Sequence, residues 1–445
     1  MRIHFINVMW GDDFVDLFLK VGLPSELSPH NLQIYQGTQG IKYKIYTTVV
    51  DAEKIKNSLA FAKLKEIVEA EIIIIDQWIN ENKYVAMNNC HKNAIEIARV
   101  ESAFLVFTAP DHVWADGAFM NMMKIVEQGY EIIMMGVPRP NTETFVPDFL
   151  GHYFHSECIW PSISAKELVR LVMCHLHPYA QSIFWDAEKF NNDLPSHIYW
   201  NVSETGFFAR CFHLHPLLVK PSNQELPSDS VDGDYIMNAC PVFKEIYVVQ
   251  DSDEIFFASL TSKEDMNGHT DTKSITRIIN WAKKHTNSHH RSYVKKIIRF
   301  HVDEDLSSWK KIEDQSDKVV DLILEGLYAD SDTQNELGYA ESIEELVRKC
   351  KLINKNKKIA IFGAGISGVN LARILKEYDI YPDMFIDNDS IKWGQLKDDL
   401  IIDSPSVINN YIYIIIASSW YAEICEQLKA KGLKRAVDFI IAGFI

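Results

Sequence analysis

The chain has little of what would commit it to several common fates. Cysteine is scarce: seven in 445 residues (Cys90, Cys158, Cys174, Cys211, Cys240, Cys350, Cys425), odd in number, scattered, with no C-x-x-C pair. That usage excludes a disulfide framework and fits buried thiols in a reducing cytoplasm. Basic residues are outnumbered, 45 Lys and Arg against 61 Asp and Glu, for a net charge of -16. A nucleic-acid partner needs the opposite balance, because its phosphates must be neutralised. Small anionic ligands need only local positive charge. No apolar run reaches the roughly 18 residues of a membrane span. The start, MRIHFINVMWGDDFVDLFL, carries one basic residue and two acids before any long apolar run, which is not a secretory signal pattern. Repeats of solenoid length and low-complexity tracts are also missing. The expectation is a cytoplasmic globular protein with no nucleic-acid partner and no transmembrane segment.

What is present is a repeated alternation. At 445 residues the chain exceeds the roughly 250–300 that one core supports. RIHFINVMW, YKIYTTVV, EIIIID, AFLVFTA and YEIIMMGV each read as a buried strand. Between them, Ala52–Leu64 and Val85–Val100 carry helical spacing. Strands alternating with helices imply βαβ units and a mostly parallel sheet covered on both faces. From about Gly151 to Glu245 the pattern loosens and becomes rich in His, Trp, Tyr and Pro. The strand-like IYVVQDSDE follows, and Ser274–Leu327 reads as long charged helices with loops near NSHHRS and DED. After the polar stretch DSDTQNELG a second α/β unit opens with IAIFGAGISG. The expected division is 1–270, an α/β nucleotide-binding domain; 271–340, a helical connector and linker; and 341–445, a Rossmann-like domain.

In the last of these, Gly363, Gly365 and Gly368 form G-x-G-x-x-G between a strand (Ile359–Phe362) and a helix (Val369–Tyr378). The first glycine allows the tight turn, the second lets a diphosphate approach the backbone, and the third lets helix and strand pack closely. Asp387 lies 19 residues after Gly368, the position of a ribose-binding acid. The phrase FIDND, a WG turn and a strand ending in Ala-Ser resemble the small Rossmann-like domains of bacterial polysaccharide-biosynthesis enzymes, including the nucleotide-sugar-binding half of sugar acetyltransferases. That resemblance, over roughly Lys357–Leu433, implies a nucleotide-sugar or NAD site without hydride transfer.

The first 260 residues resemble an A-type (GT-A-like) glycosyltransferase. YKIYTT looks like the strand whose end meets the nucleotide base. CHKNAIEIAR, with Lys92 and Asn93, is similar to the helix that contacts the donor diphosphate or sugar. AFLVFTAPDHVWADGAF is similar to the strand ending in the family's D-x-D motif. On that pattern Ala109 stands where the first acid belongs, and Asp111 is the retained metal-ligating acid. A divalent cation on a nucleotide diphosphate takes hard oxygen ligands, and Mg²⁺ often accepts one or two carboxylates, with phosphate and water completing the shell. Asp111 equally suits a turn cap after Pro110, and His112 and Asp116 are weaker candidates of the same turn.

Histidine supplies a further group. CHLHP (Cys174–Pro178) and FHLHP (Phe212–Pro216) repeat one tetrapeptide. In an extended segment His213 and His215 point the same way. FHLHPLLVKP is similar to the C-terminal motif of glycogenin-like transferases, which implies a metal-ligating His213 or His215 and a diphosphate-binding Lys220. The family's glycine after the histidine is absent. His175 and His177 read as a helix end. A base for the acceptor hydroxyl needs a carboxylate, and the candidates are Glu204 (with Tyr199 and Trp200 as stacking faces), Asp232, Asp234 and Asp186. The resemblance implies a divalent-metal-assisted (Mn²⁺ or Mg²⁺) transferase. It would move sugar from a nucleotide-sugar donor to a glycan or small-molecule acceptor in surface glycan or polysaccharide assembly, and a homo-oligomer fits. Two other readings stand beside it: a metal-dependent hydrolase using the HxH histidines with Asp232 or Asp234, and a non-catalytic nucleotide-sugar sensor.

Overall fold

Each of the five apolar runs becomes a strand of one sheet; four are buried almost throughout, and the run EIIIID, at the sheet edge, is half-exposed. A computed structural model describes the chain except for residues 80–81, 154–159, 223, 229, 241–245, 267, 304, 330–339, 342, 354–356, 410, 419–420, 436 and 443–445. The polar stretch DSDTQNELG lies outside the described residues. The rest divides into two units, one of residues up to Ile323 and one from Leu324 onward.

In the first unit the strands are Ile3–Val8 (β1), Ile41–Thr47 (β2), Glu69–Ile74 (β3), Phe104–Phe107 (β4), His112–Trp114 (β5), Ile132–Met135 (β6), Phe190–Asn191 (β7), His197–Ser203 (β8), Gly206–Cys211 (β9), His215–Val219 (β10), Ile246–Val248 (β11), Phe257–Ser259 (β12), Thr270–Asp271 (β13) and Ile298–His301 (β14). Seven of them form the main sheet, in the order β11-β6-β10-β4-β1-β2-β3. All pairings are parallel except those of β10, which runs antiparallel to both β4 and β6. Its register slips between Pro216 and Leu218, where proline has no N–H for the ladder. The chain moves outward from β1 to β3 on one side, then returns to place β4 on the other. Such a reversal opens a crevice at the carboxyl ends of β1 and β4. Because β10 is reversed, its first residue, His215, lies at that same edge.

Ala52–Leu64 is not one helix. Val49–Lys56 and Leu59–Ile67 are separate, since the Ser58 hydroxyl caps the second by accepting from Phe61 N at 3.1 Å. The long helix Lys83–Glu101 buries Ala86, Cys90, Ala94 and Ala98. The loosely patterned middle contains an aromatic antiparallel sheet, β14-β9-β8. All six residues of β9 are buried, so no polar alternation announced it. Its Gly206 is obligatory, because a Cβ there would stand 2.6 Å from the Phe300 carbonyl and 2.7 Å from Trp309. Residues 275–323 pack within this first unit, and NSHHRS is a short helix, Ser288–Tyr293, capped by Asn287, rather than a loop.

The second unit is a sheet of Ala340–Glu341 (β15), Lys358–Phe362 (β16), Met384–Ile386 (β17), Leu396–Lys397 (β18), Leu400–Asp403 (β19), Ile412–Ile416 (β20) and Phe439–Ala442 (β21), ordered β15-β21-β20-β16-β17-β19-β18 and parallel but for β18. Leu371 and Leu375 of the helix Ile366–Glu377 cover one face, and Ile424 and Leu428 of Tyr421–Ala430 cover the other. No helix among the described residues is long and apolar enough to cross a membrane.

Candidate functional site

Asp111 follows β4 by four residues. Its carboxylate Oδ2 accepts the Ser259 hydroxyl at 2.6 Å, and its carbonyl accepts Leu260 N at 2.7 Å. Ser259 ends β12, which pairs with β5 through Ser259 and His112. The same hydroxyl accepts from Arg139 Nη1 at 3.4 Å, and Thr261 Oγ1 accepts from that nitrogen at 3.3 Å. Arg139 lies four residues beyond the carboxyl end of β6. A buried serine therefore joins a carboxylate and a guanidinium from two strand ends. Arg139 and Ser259 were not among the residues picked out from the sequence. The only signal was a basic residue just past a buried strand, in GVPRP.

His215 enters this edge at the start of β10. Its Nε2 donates to the Phe107 carbonyl, the last residue of β4, at 3.1 Å, which leaves Nδ1 as the lone-pair nitrogen. The rings of His112 and His215 meet edge to face at 5.2 Å, and His112 lies tilted on Phe257 at 4.4 Å. His112 is thus part of the wall of the site. His91, on the helix Lys83–Glu101, packs edge to face on Phe107 at 5.5 Å with its Nδ1 buried and unpartnered. It stands beside Lys92 and Asn93 in the sequence but had not been singled out. Burial holds His91 down to about 4, helped by the charge of His215. Burial likewise lowers His112 and His215, with His215 and Arg139 adding to the effect on His112. These imidazoles are neutral at neutral pH.

Asp232 belongs to the same electrostatic neighbourhood. Desolvation raises its pKa, but the Ser230 hydroxyl and the nearby His213 and His215 outweigh that and hold it below the ordinary carboxylate range. His213 turns elsewhere: its Nε2 meets the His285 carbonyl at 2.8 Å and its ring lies 4.4 Å from that of His290. Of the two histidines offered as the ligand, His215 thus lies at the strand edge with Asp111, and both act on Asp232 through their charge.

Other candidates have contacts of their own. Lys220 sits at the opposite end of β10, where its ammonium pairs with Glu131 and lies 5.5 Å from the centre of the Phe104 ring. β10 is antiparallel, so the residue five places after His215 lies toward the amino ends of the sheet, away from His215. Asn93 Oδ1 accepts from the Tyr46 hydroxyl at 3.0 Å, and Lys92 is half-buried on the same helix. Asp234 is exposed and accepts from Asn287 Nδ2 at 2.8 Å. Glu204, in the β8–β9 turn, lines a separate open cleft with Asp186, Asn201 and Ser203. Trp200 and Tyr199 are buried, so they offer no stacking face. Asp116 fastens a loop by accepting from His30 N and the Ser162 hydroxyl, each at 2.7 Å. His175 ends one helix and His177 caps the next, as their positions implied.

Asp111, with its hard oxygens, suits a divalent cation that a bound diphosphate helps to hold. Among the described residues neither Asp111 nor the HxH histidines belong to a trio of ligand atoms within 4.8 Å, so no closed metal cage is built here. That geometry also gives the hydrolase reading no three-ligand zinc site.

The second unit carries a cavity of ≈ 650 Å³ at the carboxyl ends of β16 and β20, lined by Gly363, Gly365, Ser367, Asp387, Lys392 and Glu423 among others. Its three glycines differ. Gly363 has φ +117, and a Cβ would stand 2.5 Å from the Ala417 carbonyl; at Gly368 it would stand 1.8 Å from the Gly363 carbonyl. At Gly365 a Cβ would meet nothing within 4 Å. Packing thus demands two of the glycines, while the third faces open cavity at the start of a helix. Asp387 lines this cavity with hydrogen bonds of its own. Its Oδ2 accepts from Ala364 N at 2.9 Å and from Lys392 at 3.1 Å, and its Oδ1 accepts from Asp389 N at 2.9 Å. Desolvation opposes its ionisation, yet these donors hold its pKa below the usual value. The acid ties the glycine loop to the end of β17.

Comparison with known proteins adds two likenesses. Residues 355–436, within the second unit, match the family model described as C2185-like, N-terminal. Among solved structures, the apo crystal structure of mouse xyloside xylosyltransferase 1 is similar over 34% of this chain and 58% of that one. The sequence identity is 9% and the TM-score 0.20, a weak likeness. No curated protein matches the chain.

Proposed function

We propose that the first unit transfers a sugar from a nucleoside-diphosphate donor to an acceptor hydroxyl, in an A-type glycosyltransferase arrangement. The observation that carries this reading is the Asp111–Ser259–Arg139 chain at the carboxyl ends of β4 and β6, beside His215. An adjacent carboxylate and guanidinium suit a cation-bound diphosphate: Asp111 would hold the cation, and Arg139 would donate to phosphate oxygens. The acceptor oxygen attacks the anomeric carbon as the carbon–phosphate-oxygen bond breaks. The diphosphate leaves with the electron pair and takes up the acceptor's proton. Asp232 is a poor base because its pKa is depressed. As a persistent anion it fits a different task, orienting sugar hydroxyls and stabilising positive charge at the anomeric centre. Neutral His91, His112 and His215 shape the pocket without repelling that charge. The open face at Gly365 supports a diphosphate-bearing ligand in the second unit, NAD or a nucleotide sugar, at a helix N-terminus. Surface glycan or polysaccharide assembly, with a glycan or small-molecule acceptor, follows from the sequence resemblances of both units.

The test is release of free nucleoside diphosphate by the full-length protein with Mn²⁺ and a panel of nucleotide sugars. Asp111→Ala and Arg139→Ala should each lower kcat/KM by about 10²–10³, with melting temperatures within a few degrees of the parent. A folded parent protein that binds no nucleotide sugar in calorimetry would end the proposal. Binding without any turnover would favour the sensor.

A further inference from the structure

The first unit holds one compact cluster that the transfer reading leaves unused. β11 leads into Asp251-Ser252-Asp253, a D-x-D sequence placed by the fold at the outer end of the main sheet. Across from it runs β14 of the aromatic sheet. Backbone bonds join the two segments: Arg299 N to the Gln250 carbonyl at 2.8 Å and Ser252 N to the Arg299 carbonyl at 2.9 Å. They bring His301 against the acids. One ligand atom from each of Asp251, Asp253 and His301 lies within 4.8 Å of the other two.

The histidine decides how the cluster reads. His301 is 4% exposed, and its Nδ1 lies 2.6 Å from the Asp303 carbonyl. A carbonyl only accepts, so Nδ1 carries a proton and the neutral ring presents its lone pair at Nε2. That nitrogen lies 2.9 Å from Asp251 Oδ1. Two lone-pair atoms at that separation repel unless something positive stands between them, either a second proton or a metal ion. A proton would satisfy this pair, with the Asp253 carboxylate, 3.7 Å from Lys166, acting on the imidazolium only by its charge. A cation uses all three. Imidazole held through Nδ1–H by a backbone carbonyl, with Nε2 directed at the ion, is the usual second-shell arrangement of a metal-bound histidine.

We propose that Asp251, Asp253 and His301 bind a divalent transition cation, Mn²⁺ or Zn²⁺, that joins the main sheet to the β14-β9-β8 sheet. One nitrogen and two carboxylates favour these ions over Ca²⁺, which prefers six to eight oxygens. Asp253 is exposed, so water completes the shell. The site binds without nucleotide, and its effect is on stability.

The experiment is calorimetric titration of MnCl₂ into the full-length, metal-stripped protein without nucleotide, with thermal melts beside it. The parent should take up one equivalent that survives excess Ca²⁺ and raises the melting temperature. Asp253→Asn, at an exposed position that threatens no core, should weaken that binding at least about tenfold and abolish the Mn²⁺-dependent rise. Asp111→Asn should leave both intact. His301→Gln should match Asp253→Asn if it folds. Unchanged affinity in Asp253→Asn, or no uptake by the parent, would show that the cluster is an imidazolium–carboxylate pair.

Discussion

In both sheets the strand order reverses, β1 against β4 in the first unit and β16 against β20 in the second, and such reversals are where open α/β sheets bind ligands at their carboxyl ends. What gathers at the two openings is different. In the second unit the wall comes from a strand–loop–helix of consecutive residues, with Asp387 and Lys392 closing it from the next strand end. In the first, Asp111, Arg139, His215, Asp232 and Ser259 come from five segments spread over some 150 residues, with His91 from a sixth. All 16 histidines precede Leu324, so imidazole chemistry belongs to one opening alone. A local loop holds an anion with backbone amides and needs glycine. A long-range assembly holds one with side chains and needs a precise sheet. The two should therefore fail in different ways when altered.

The largest contrast should lie within the glycine loop. Gly363→Ala places a side chain at φ +117 against the Ala417 carbonyl, and should destabilise the second unit by about 2 kcal/mol or more. Gly365→Val fills only cavity. It should melt close to the parent yet lose calorimetric binding of NAD and nucleotide sugars, while Mn²⁺-dependent transfer continues. If Gly365→Val stops transfer in a folded protein, the second unit takes part in the chemistry and the comparison breaks.

A smaller effect should separate the units by pH. Burial pulls His91 down to about 4, and His197 and His290 to about 3. Unfolded histidine titrates near 6.5, so between there and 3–4 the unfolded state binds more protons. The stability these neutral rings confer is complete above about pH 6.5 and drains as pH falls through the window. Glu26 runs the other way. It is wholly buried against β2, where it accepts from the Tyr43 hydroxyl at 2.6 Å, and desolvation raises its pKa to about 8. The folded state keeps its proton between about 4.5 and 8, so that contribution is full in acid and lost as pH rises. Glu26→Gln should remove the fall in stability between about pH 4.5 and 8, at most about 1.4 kcal/mol per pH unit, so that the histidine slope stands alone below pH 6.5. Denaturant unfolding from pH 4 to 9 reads both. A fall between pH 6.5 and 8 that is unchanged in Glu26→Gln would mean that Glu26 is ionised in the fold.

How much of this was legible depended on how local the information was. The β4 and β6 runs were plain because those strands are apolar and buried, and β1 nearly so, whereas β2 carries Lys42 and Lys44 and the edge strand β3 is half-exposed. The glycine loop was plain because strand, turn and helix are contiguous. Asp111 could be found at the end of a buried strand, and His215 by its place in FHLHP. Arg139 could not, because nothing in GVPRP shows that Ser259, 120 residues later, will join it to Asp111. The aromatic sheet was hidden since β9 has no polar face. Asp387 was found by its spacing, but spacing cannot show that its Oδ2 takes Ala364 N and Lys392 while its Oδ1 takes Asp389 N.

Lys220 offers the smallest expected effect. The sequence likeness put it on the diphosphate, whereas the fold puts it on the order of 16 Å from His215, at about 3.3 Å per residue along β10. There it makes a half-exposed pair with Glu131 and lies over the Phe104 ring. Such surface pairs contribute roughly 0–1 kcal/mol. Lys220→Ala should therefore shift unfolding by no more than that and leave the KM for the nucleotide sugar unchanged, while Arg139→Ala raises it. The opposite pattern, a donor-binding loss on Lys220→Ala with Arg139→Ala silent, would move the anion to the amino ends of the strands. That would overturn the placement of the site at the reversal of strand order, because the helix and strand ends that favour an anion lie at the carboxyl edge.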